Sequence, residues 1–177
     1  MKVLLHICCG PCAIYCVNTL REKGHSVEGF FYNPNIHPMA EYDKRRESVL
    51  VLSEKLNLPI HFHREYKFED FFRKVTFHEE DKRCWICWQL RLKHTAEFAS
   101  RNGYDAFTTT LLISPYQDQD KIRDIAAKLA EKYKVDFYYE NFRKGFRESH
   151  TLSRQMGLYH QKYCGCIYSE RERNAKK

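Results

Sequence analysis

KVLLHICCGPC, at residues 2–12, contains three of the eight cysteines of this chain and its clearest structural signal. The apolar residues 2–5 predict a short buried strand, and residues 13–23 have the pattern of a helix. The cysteines therefore lie in a strand-to-helix turn, at the carboxyl end of a strand. The free N–H groups and the positive end of the following helix stabilise thiolates at such a turn. This stretch predicts an α/β protein with a reactive first turn.

Strands and helices alternate along the rest of the chain. The pattern predicts strands at 26–32, 58–62, 104–110 and 135–139, and helices at 39–56, 66–75, 84–102, around 122–133 and at 146–156. Such alternation is typical of a parallel sheet with helices on both faces. A helical C-terminal segment at about 141–177 follows, with a charged, frayed tail. The length of 177 residues fits a single domain spanning 1–177.

The composition limits the compartment and the partners. Thirty Lys and Arg against 23 Asp and Glu give a net charge of +7, which attracts polyanions such as nucleic acid. Eight cysteines without a secretory signal indicate a reducing compartment and a metal or redox use rather than a disulfide framework. No stretch is long and apolar enough to predict a membrane span. We therefore expect a cytoplasmic protein without a membrane partner.

The cysteines form three groups at the ends of predicted elements. They are Cys8, Cys9 and Cys12 with Cys16 behind them, then Cys84 and Cys87, and then Cys164 and Cys166. Free cysteines are often small buried hydrophobic residues, and this interpretation suits Cys16, in the middle of a helix. It suits the others poorly, because cysteines distributed at random do not cluster in tight pairs or triplets at the ends of elements. The turns of a doubly wound sheet can converge on one edge.

Three uses of these thiols remain open from the residues alone. CxxC is a common zinc half-site, although the adjacent Cys8 and Cys9 are unusual for structural zinc. Cys9-Gly10-Pro11-Cys12 has the form of a thioredoxin-like dithiol, which would leave the other cysteines unexplained. Seven soft thiolates also suit an iron–sulfur cluster with a further metal or dithiol. Cys164-Gly165-Cys166 could close only a strained, easily reduced ring, so it fits a cycling redox pair or metal ligation equally well.

Several polar side chains could assist chemistry at this edge. They are Tyr116, Asp118, His37 and His6, although Asp118 equally fits a helix N-cap and His6 a satisfied core position. Three pairs of adjacent basic residues flank the predicted loops and would suit phosphate contacts or a solvated surface. They are Arg45-Arg46, Lys82-Arg83 and Arg143-Lys144.

Taken together, these motifs resemble a known family, the epoxyqueuosine reductases of the QueH type, which are unrelated in sequence to the cobalamin-dependent enzymes of that activity. The resemblance covers nearly the whole chain. It rests on HICCGPC at 6–12, YNPNIHP with EYDKRR at 32–46, RCWICWQLRL at 83–92, TTTLLISPYQD at 108–118, and FRKGFRES with YHQKYCGCIYS at 142–169.

The resemblance implies a fold and an activity. The fold is a single-domain, Rossmann-like (HUP-like) α/β sheet. The activity is the last step of queuosine formation, in which the epoxide of epoxyqueuosine at the tRNA wobble position is reduced to the alkene. The partners implied are tRNA that carries epoxyqueuosine in its anticodon and an external electron donor. The alternative from another class is a non-catalytic RNA-binding module that carries zinc or a dithiol.

The resemblance also implies cofactors and residues. A [4Fe-4S] cluster is expected on Cys8, Cys9, Cys84 and Cys87, and a redox-active pair at Cys164 and Cys166. A second, mononuclear iron would be held by Cys12, Cys164, Cys166 or Asp118. Asp118 and Tyr116 are expected to assist catalysis, and an unpaired base could stack on an aromatic side chain. The candidates for stacking are Trp85, Trp88, Tyr116 and Phe146.

Overall fold

A computed structural model describes residues 1–79 and 82–175. At its centre is a five-stranded parallel sheet in the order β3-β2-β1-β4-β5. The strands are β1 (Lys2–His6), β2 (Ser26–Phe31), β3 (Ile60–Phe62), β4 (Ala106–Thr109) and β5 (Asp136–Phe137). Each predicted strand is present, although β5 is shorter than its apolar pattern suggested.

Helices connect the strands and cover the sheet. They are α1 (Gly10–Glu22), α2 (Met39–Leu56), α3 (Phe68–Val75), α4 (Arg83–Arg101), α5 (Gln119–Tyr133), α6 (Phe146–Gln155) and α7 (Ile167–Asn174), with 3₁₀ turns at Thr110–Ile113 and Phe142–Gly145. Helix α1 begins earlier than predicted, with Pro11 in its first turn, where a missing N–H costs nothing. Cys12 is therefore helical and lies one turn above the strand end. No helix among the described residues is long and apolar enough to cross a membrane.

Strand β1 is the centre of the core, because it is paired on both sides and Val3, Leu4 and Leu5 are fully buried. Its register places His6 beside Phe30 of β2 and Thr109 of β4. Since the strands are parallel, the segments after β1, β2 and β4 leave the sheet at one edge. The first cysteine group lies at this edge.

Helix α4 buries a stripe of Trp88, Leu92, Ala96 and Ala99 against the sheet, as its spacing predicted. The helical spacing of the apolar residues in this segment predicts that Trp85 shares the buried stripe, and this prediction is wrong. Its side chain is 43% exposed, because the first turn of α4 extends past the edge of the core.

The C-terminal segment packs on the first helix rather than on the sheet. Ser149 of α6 donates a hydrogen bond to the Pro11 carbonyl (2.6 Å) and accepts one from the Tyr15 amide (3.2 Å). Gly145 lies against the Tyr15 ring so closely that a Cβ there would be 2.1 Å from it. The predicted frayed tail is helical as far as Asn174, and residues 176 and 177 lie outside the described part of the chain.

Candidate metal centre and substrate cavity

Cys8, Cys9 and Cys12 form a compact thiol group between the end of β1 and the first turn of α1. Their Sγ atoms all lie within 4.8 Å of one another, and those of Cys8 and Cys9 are 3.7 Å apart. Two thiolates bound at about 2.3 Å to one tetrahedral ion would lie ~3.8 Å apart. The group therefore has the spacing of ligands that share a metal atom, and it can hold one.

The three thiols differ in acidity. Hydrogen bonds with Cys12 and Cys9 lower the pKa of Cys8 well below its usual value, and the Thr110 hydroxyl, 3.2 Å from its Sγ, adds to this. Burial raises the pKa of Cys9, and the hydrogen bonds with Cys8 and Cys9 raise that of Cys12. Of the three thiols, Cys8 therefore loses its proton most readily, and Cys9 and Cys12 are its hydrogen-bond partners.

Cys84 and Cys87 occupy the first turn of α4. Cys87 is buried, and desolvation raises its pKa to about 12. Cys84 is exposed, and its pKa is raised by partial burial of the sulfur and by Cys164 and Cys166 nearby. The same two thiols act on Cys87, so the second and third cysteine groups face each other.

Arg91 is a buried cation that links the cysteine groups. Its side chain is 2% exposed, and its Nη2 and Nε donate hydrogen bonds to the Sγ (3.0 Å) and the carbonyl (3.3 Å) of Cys87, one turn earlier. It also interacts electrostatically with Cys164 and Cys8. No carboxylate of the described residues lies within ion-pair distance of it. A buried, unpaired charge is costly, so this site is built to contain negative charge on sulfur.

Arg45 fixes the segment that carries the third cysteine group. It is 1% exposed, pairs with Glu41 at 2.8 Å, and donates hydrogen bonds to the carbonyls of Tyr163 and Cys164, each at 2.9 Å. The Tyr159 hydroxyl donates to the second oxygen of Glu41 at 2.6 Å. We expected Arg45 on the solvent side of α2, available to phosphate, and this prediction was wrong. The side chain is buried because the segment around Tyr163 covers it.

Gly165 is required between the two cysteines of this segment. Its φ is +148°, and a Cβ there would lie 3.3 Å from Ile36 and 3.4 Å from the Arg45 guanidinium. Its carbonyl accepts a hydrogen bond from the His37 amide (2.8 Å). Any larger residue would push Cys164 and Cys166 away from the loop that follows β2.

The thiol centre opens into a cavity of about 500 Å³. Cys8, Cys12, Cys164 and Arg91 line it, as do Tyr116, Phe146, Gln161, Lys162, Tyr163 and Arg173. The rings of Tyr116 and Phe146 meet edge to face at 6.4 Å, and Tyr116 is 87% exposed. The cavity therefore combines thiols, an aromatic rim and cations in one opening.

The other predicted aromatic and acidic residues lie elsewhere. Trp88 is buried, with its Nε1 donating to Gln117 at 2.6 Å, and Trp85 lines a separate groove. Asp118 is the N-cap of α5: it accepts from the Lys121 amide at 3.1 Å, which lowers its pKa, and pairs with the Lys121 ammonium at 3.3 Å. Its expected role as a catalyst or iron ligand stays a prediction.

The histidines near the edge are neutral. Burial lowers the pKa of both His6 and His37 to about 4. His6 hydrogen-bonds to Thr109 Oγ1 (2.9 Å) and to the Tyr32 carbonyl (3.3 Å), as a satisfied core residue does. Neither ring is charged at pH 7. Cys16 is also core, fully buried with its thiol donating to the Cys12 carbonyl at 3.3 Å, as predicted.

Sequence reasoning missed four side chains that shape the site. Arg91 carried a usable signal, because a charged residue one turn after Cys87 had to share its buried surroundings. Thr110 follows a strand end, where polar side chains converge. Gln161, whose Nε2 donates to Cys9 Sγ at 3.1 Å, gave no signal, because Cys9 is distant in sequence. Glu41 lies one turn before Arg45, but its second partner, Tyr159, is 118 residues away.

These features define a cysteine-rich α/β protein with a thiol centre that can hold a metal and a cavity that leads to it. A model of the family described as epoxyqueuosine reductase QueH matches residues 3–172. The chain belongs to this family, as its sequence motifs predicted.

Curated relatives agree with this assignment. A protein of Dehalococcoides mccartyi named epoxyqueuosine reductase QueH is 38% identical over 175 residues, which cover 99% of this chain and 96% of the relative. One of the same name from Thermotoga maritima is 39% identical over 183 residues, covering 98% and 93%.

A solved structure supports the fold. It is described as a predicted subunit of a tRNA methyltransferase from Methanocaldococcus jannaschii and superposes with a TM-score of 0.55. The match covers 87% of this chain and 76% of that one at 11% identity. At this identity the likeness concerns the fold alone. It agrees with the expected parallel α/β sheet, whose strand order β3-β2-β1-β4-β5 is Rossmann-like.

Proposed function

We propose that this protein is a tRNA-modifying oxidoreductase that converts epoxyqueuosine to queuosine at the wobble position. The epoxide accepts two electrons and two protons, both C–O bonds break, and an alkene and one water form. Family membership supports the reaction. The observation that carries it for this chain is the buried thiol centre beside the buried cation Arg91, which opens into a cavity rimmed by Tyr116 and Phe146.

The donor chemistry of these residues fits a cluster and a further metal, and the Cys8 and Cys9 sulfurs, 3.7 Å apart, would separate so that each binds its own iron. Soft thiolates suit iron, and the buried guanidinium of Arg91, which has no carboxylate within ion-pair distance among the described residues, is compensated by the negative charge that a thiolate-bound cluster carries. We propose that a [4Fe-4S] cluster is held by the cysteines after β1 and in the first turn of α4, namely Cys8, Cys9, Cys84 and Cys87. When bound, it would supply single electrons at a low potential, without cobalamin.

The remaining thiols are the candidates for a mononuclear iron or a redox pair. Cys12 lies in the same compact group as Cys8 and Cys9, and Cys164 lines the cavity beside it. Cys166 is held by its neighbour Ser169, whose hydroxyl lies 3.6 Å from its Sγ. Asp118 would have to release Lys121 before it could ligate a metal. We therefore favour Cys12, Cys164 and Cys166 over Asp118.

The chain itself would bind and orient the nucleoside. The rings of Tyr116 and Phe146 offer stacking faces to an unpaired base, and Lys162 and Arg173 offer positive charge to its phosphates. Arg91 lines the same cavity and can donate a hydrogen bond to the epoxide oxygen as negative charge develops on it. We further propose that residues 1–177 act as one domain in a reducing, cytoplasmic compartment.

The ligand set is tested by anaerobic purification of the protein and two alanine variants. The wild type should be brown, contain iron and sulfide each approaching about four per chain, and reduce epoxyqueuosine in tRNA without added cobalamin. Cys84→Ala should lose the cluster, whereas the matched control Cys16→Ala should keep it, because Cys16 is core. The opposite outcome would overturn the ligand set.

The same preparation tests the alternative. A colourless protein with one tightly bound zinc, and with no turnover of epoxyqueuosine-containing tRNA, would support a non-catalytic RNA-binding module and overturn the reductase.

A further inference from the structure

A second opening lies on α4, separate from the cavity at the thiol centre. It is a groove of about 670 Å³ between α3, α4 and α5, and it shares no lining residue with that cavity. Its floor is apolar, formed by Ile86, Leu90, Ile125 and Leu129, and its end is formed by the exposed ring of Trp85. We call it the lysine groove, because five lysines line it: Lys74, Lys93, Lys121, Lys128 and Lys132.

The charge of the lysine groove is poorly balanced. Asp70 and Asp124 are the acidic residues among those that line it, and Asp70 already pairs with Arg73 at 3.8 Å. Lys74, Lys93 and Lys128 have no carboxylate partner within ion-pair distance in residues 1–79 and 82–175. An apolar floor, an exposed tryptophan and free cations together are typical of a protein-docking surface rather than of a solvated helix face.

The lysine groove and the thiol centre lie on opposite faces of one helix. Trp85, Gln89 and Lys93 of α4 line the groove, whereas Cys87 and Arg91 face the cysteines. The two sites meet at the first turn, where Trp85 follows the exposed Cys84. A partner seated in the groove would thus lie one helix away from the proposed cluster, and the substrate cavity would stay open.

We infer that the lysine groove docks an acidic one-electron carrier protein, such as a ferredoxin or a flavodoxin. The inference rests on the proposed function, which needs electrons from outside while the anticodon fills the cavity. In each encounter the carrier loses one electron and the protein gains one. Two encounters therefore provide the two electrons that one epoxide consumes, and the two protons come from solvent. Complexes of this kind are small, transient and steered by charge.

The observations favour a protein over RNA in this groove. The substrate cavity has its own cations, Lys162 and Arg173, close to the aromatic rim that would hold the base. The floor of the lysine groove is apolar, which suits the side chains of a protein interface better than a hydrated phosphate backbone, and its net positive charge suits an acidic protein.

The test reverses the charge of two lysines, one on α4 and one on α5, in the double variant Lys93→Glu with Lys128→Glu. The matched control, Lys55→Glu with Arg64→Glu, changes the net charge equally at residues that line neither opening. Association of metal-free protein with an acidic ferredoxin and an acidic flavodoxin is measured against ionic strength. The rate of reduction of loaded protein by each carrier is followed by stopped flow. Affinity for tRNA is measured in parallel.

The groove variant should associate with the carrier at least about 10-fold more slowly at low salt, and its reduction by the carrier should slow equally. The control variant should behave as the wild type. Affinity for tRNA, iron content and the final extent of reduction by excess dithionite should not change. Equal association rates for both variants, loss of tRNA affinity instead, or a wild type that accepts electrons from neither carrier would each overturn the inference. A wild type without iron, or one that dithionite cannot reduce, would instead contradict the proposed function.

Discussion

Two buried arginines near the thiol centre have their positive charges compensated in different ways. Arg45 of α2 has a carboxylate partner, Glu41, and its remaining donors reach two backbone carbonyls. The guanidinium of Arg91 of α4 has only Cys87 as a hydrogen-bond partner among the described residues, with Cys164 and Cys8 nearby. One cation is neutralised by the chain itself, and the other is neutralised only if sulfur is charged.

This difference separates a structural ion pair from a functional one. Removing one member of a buried ion pair leaves the other charge uncompensated, so Arg45 and Glu41 depend on each other where α2 meets the segment that contains Cys164. A buried cation that faces neutral thiols destabilises the metal-free protein. It becomes stabilising when those thiols are thiolates. The stability of the metal-free protein and its capacity for metal should therefore respond in opposite ways to the two arginines.

The largest effect is expected from Arg45→Met. It leaves the Glu41 carboxylate buried without its partner and two carbonyls without donors, so the free energy of unfolding should fall by about 3–5 kcal/mol. Urea denaturation of metal-free protein measures this. Arg46→Met is the control: this exposed neighbour lies over the Phe62 ring, 5.0 Å from its centroid, and its loss should cost less than about 1 kcal/mol. Equal costs for the two variants would remove the distinction.

Arg91→Met should have the opposite profile. The metal-free protein should be as stable as the wild type or more stable, because a desolvated charge is removed. The loaded protein should release iron to a chelator at least about 10-fold faster, which corresponds to about 1.4 kcal/mol. Arg101→Met, at an exposed position of the same helix that pairs with Glu97, should change neither value. A large loss of stability in metal-free Arg91→Met would show that Arg91, like Arg45, has a structural role, and would contradict this prediction.

A third charged side chain, Glu28 of β2, is 22% exposed and shows the effect of weaker burial. Glu28 accepts hydrogen bonds from Tyr104 and His61 and pairs with Lys2, and the bond from Tyr104 contributes most to lowering its pKa from 4.5 to about 2. Because the folded pKa is depressed, this stabilisation is complete above pH 4.5 and is lost as the pH falls toward 2.

Tyr104→Phe should therefore destabilise the protein by about 1 kcal/mol at pH 7, and the difference from the wild type should narrow between pH 4.5 and 2. Urea denaturation over this pH range measures it. Tyr133→Phe is the control, since its hydroxyl makes no hydrogen bond within the described part of the chain. A difference that is independent of pH would show that the Tyr104 hydroxyl acts without the Glu28 charge.

Most of the fold followed from the sequence because strands and helices alternate with clear apolar periods. The extent of α2 was predicted to the residue, and the turn after β1 was placed correctly because an apolar strand precedes it. The errors occurred where distant segments meet. Arg45 lies between Lys44 and Arg46, which are exposed, and only the contacts with Tyr163 and Cys164, 118 and 119 residues away, make it an interior residue.

The residues of the site also divide into those that local sequence predicted and those that it did not. Its thiols were recognisable because cysteines clustered at element ends, and Tyr116 and Phe146 followed from the motifs and lie at the cavity. The polar partners of the thiols were not predictable, since Gln161 is 152 residues away from Cys9. The local sequence pattern identifies the reactive cysteines. The residues that hydrogen-bond to them are brought close only by the tertiary fold.

That separation along the chain also sets an order in time. During synthesis at roughly 5–20 residues per second, Cys9 is made some 8 to 30 s before Gln161, the residue that hydrogen-bonds to its sulfur. During that interval the nascent chain contains the first cysteine group but not yet the segment around Gln161 that packs against it. Its thiols can meet metal ions, and oxidants, before the segment that will enclose them has been translated.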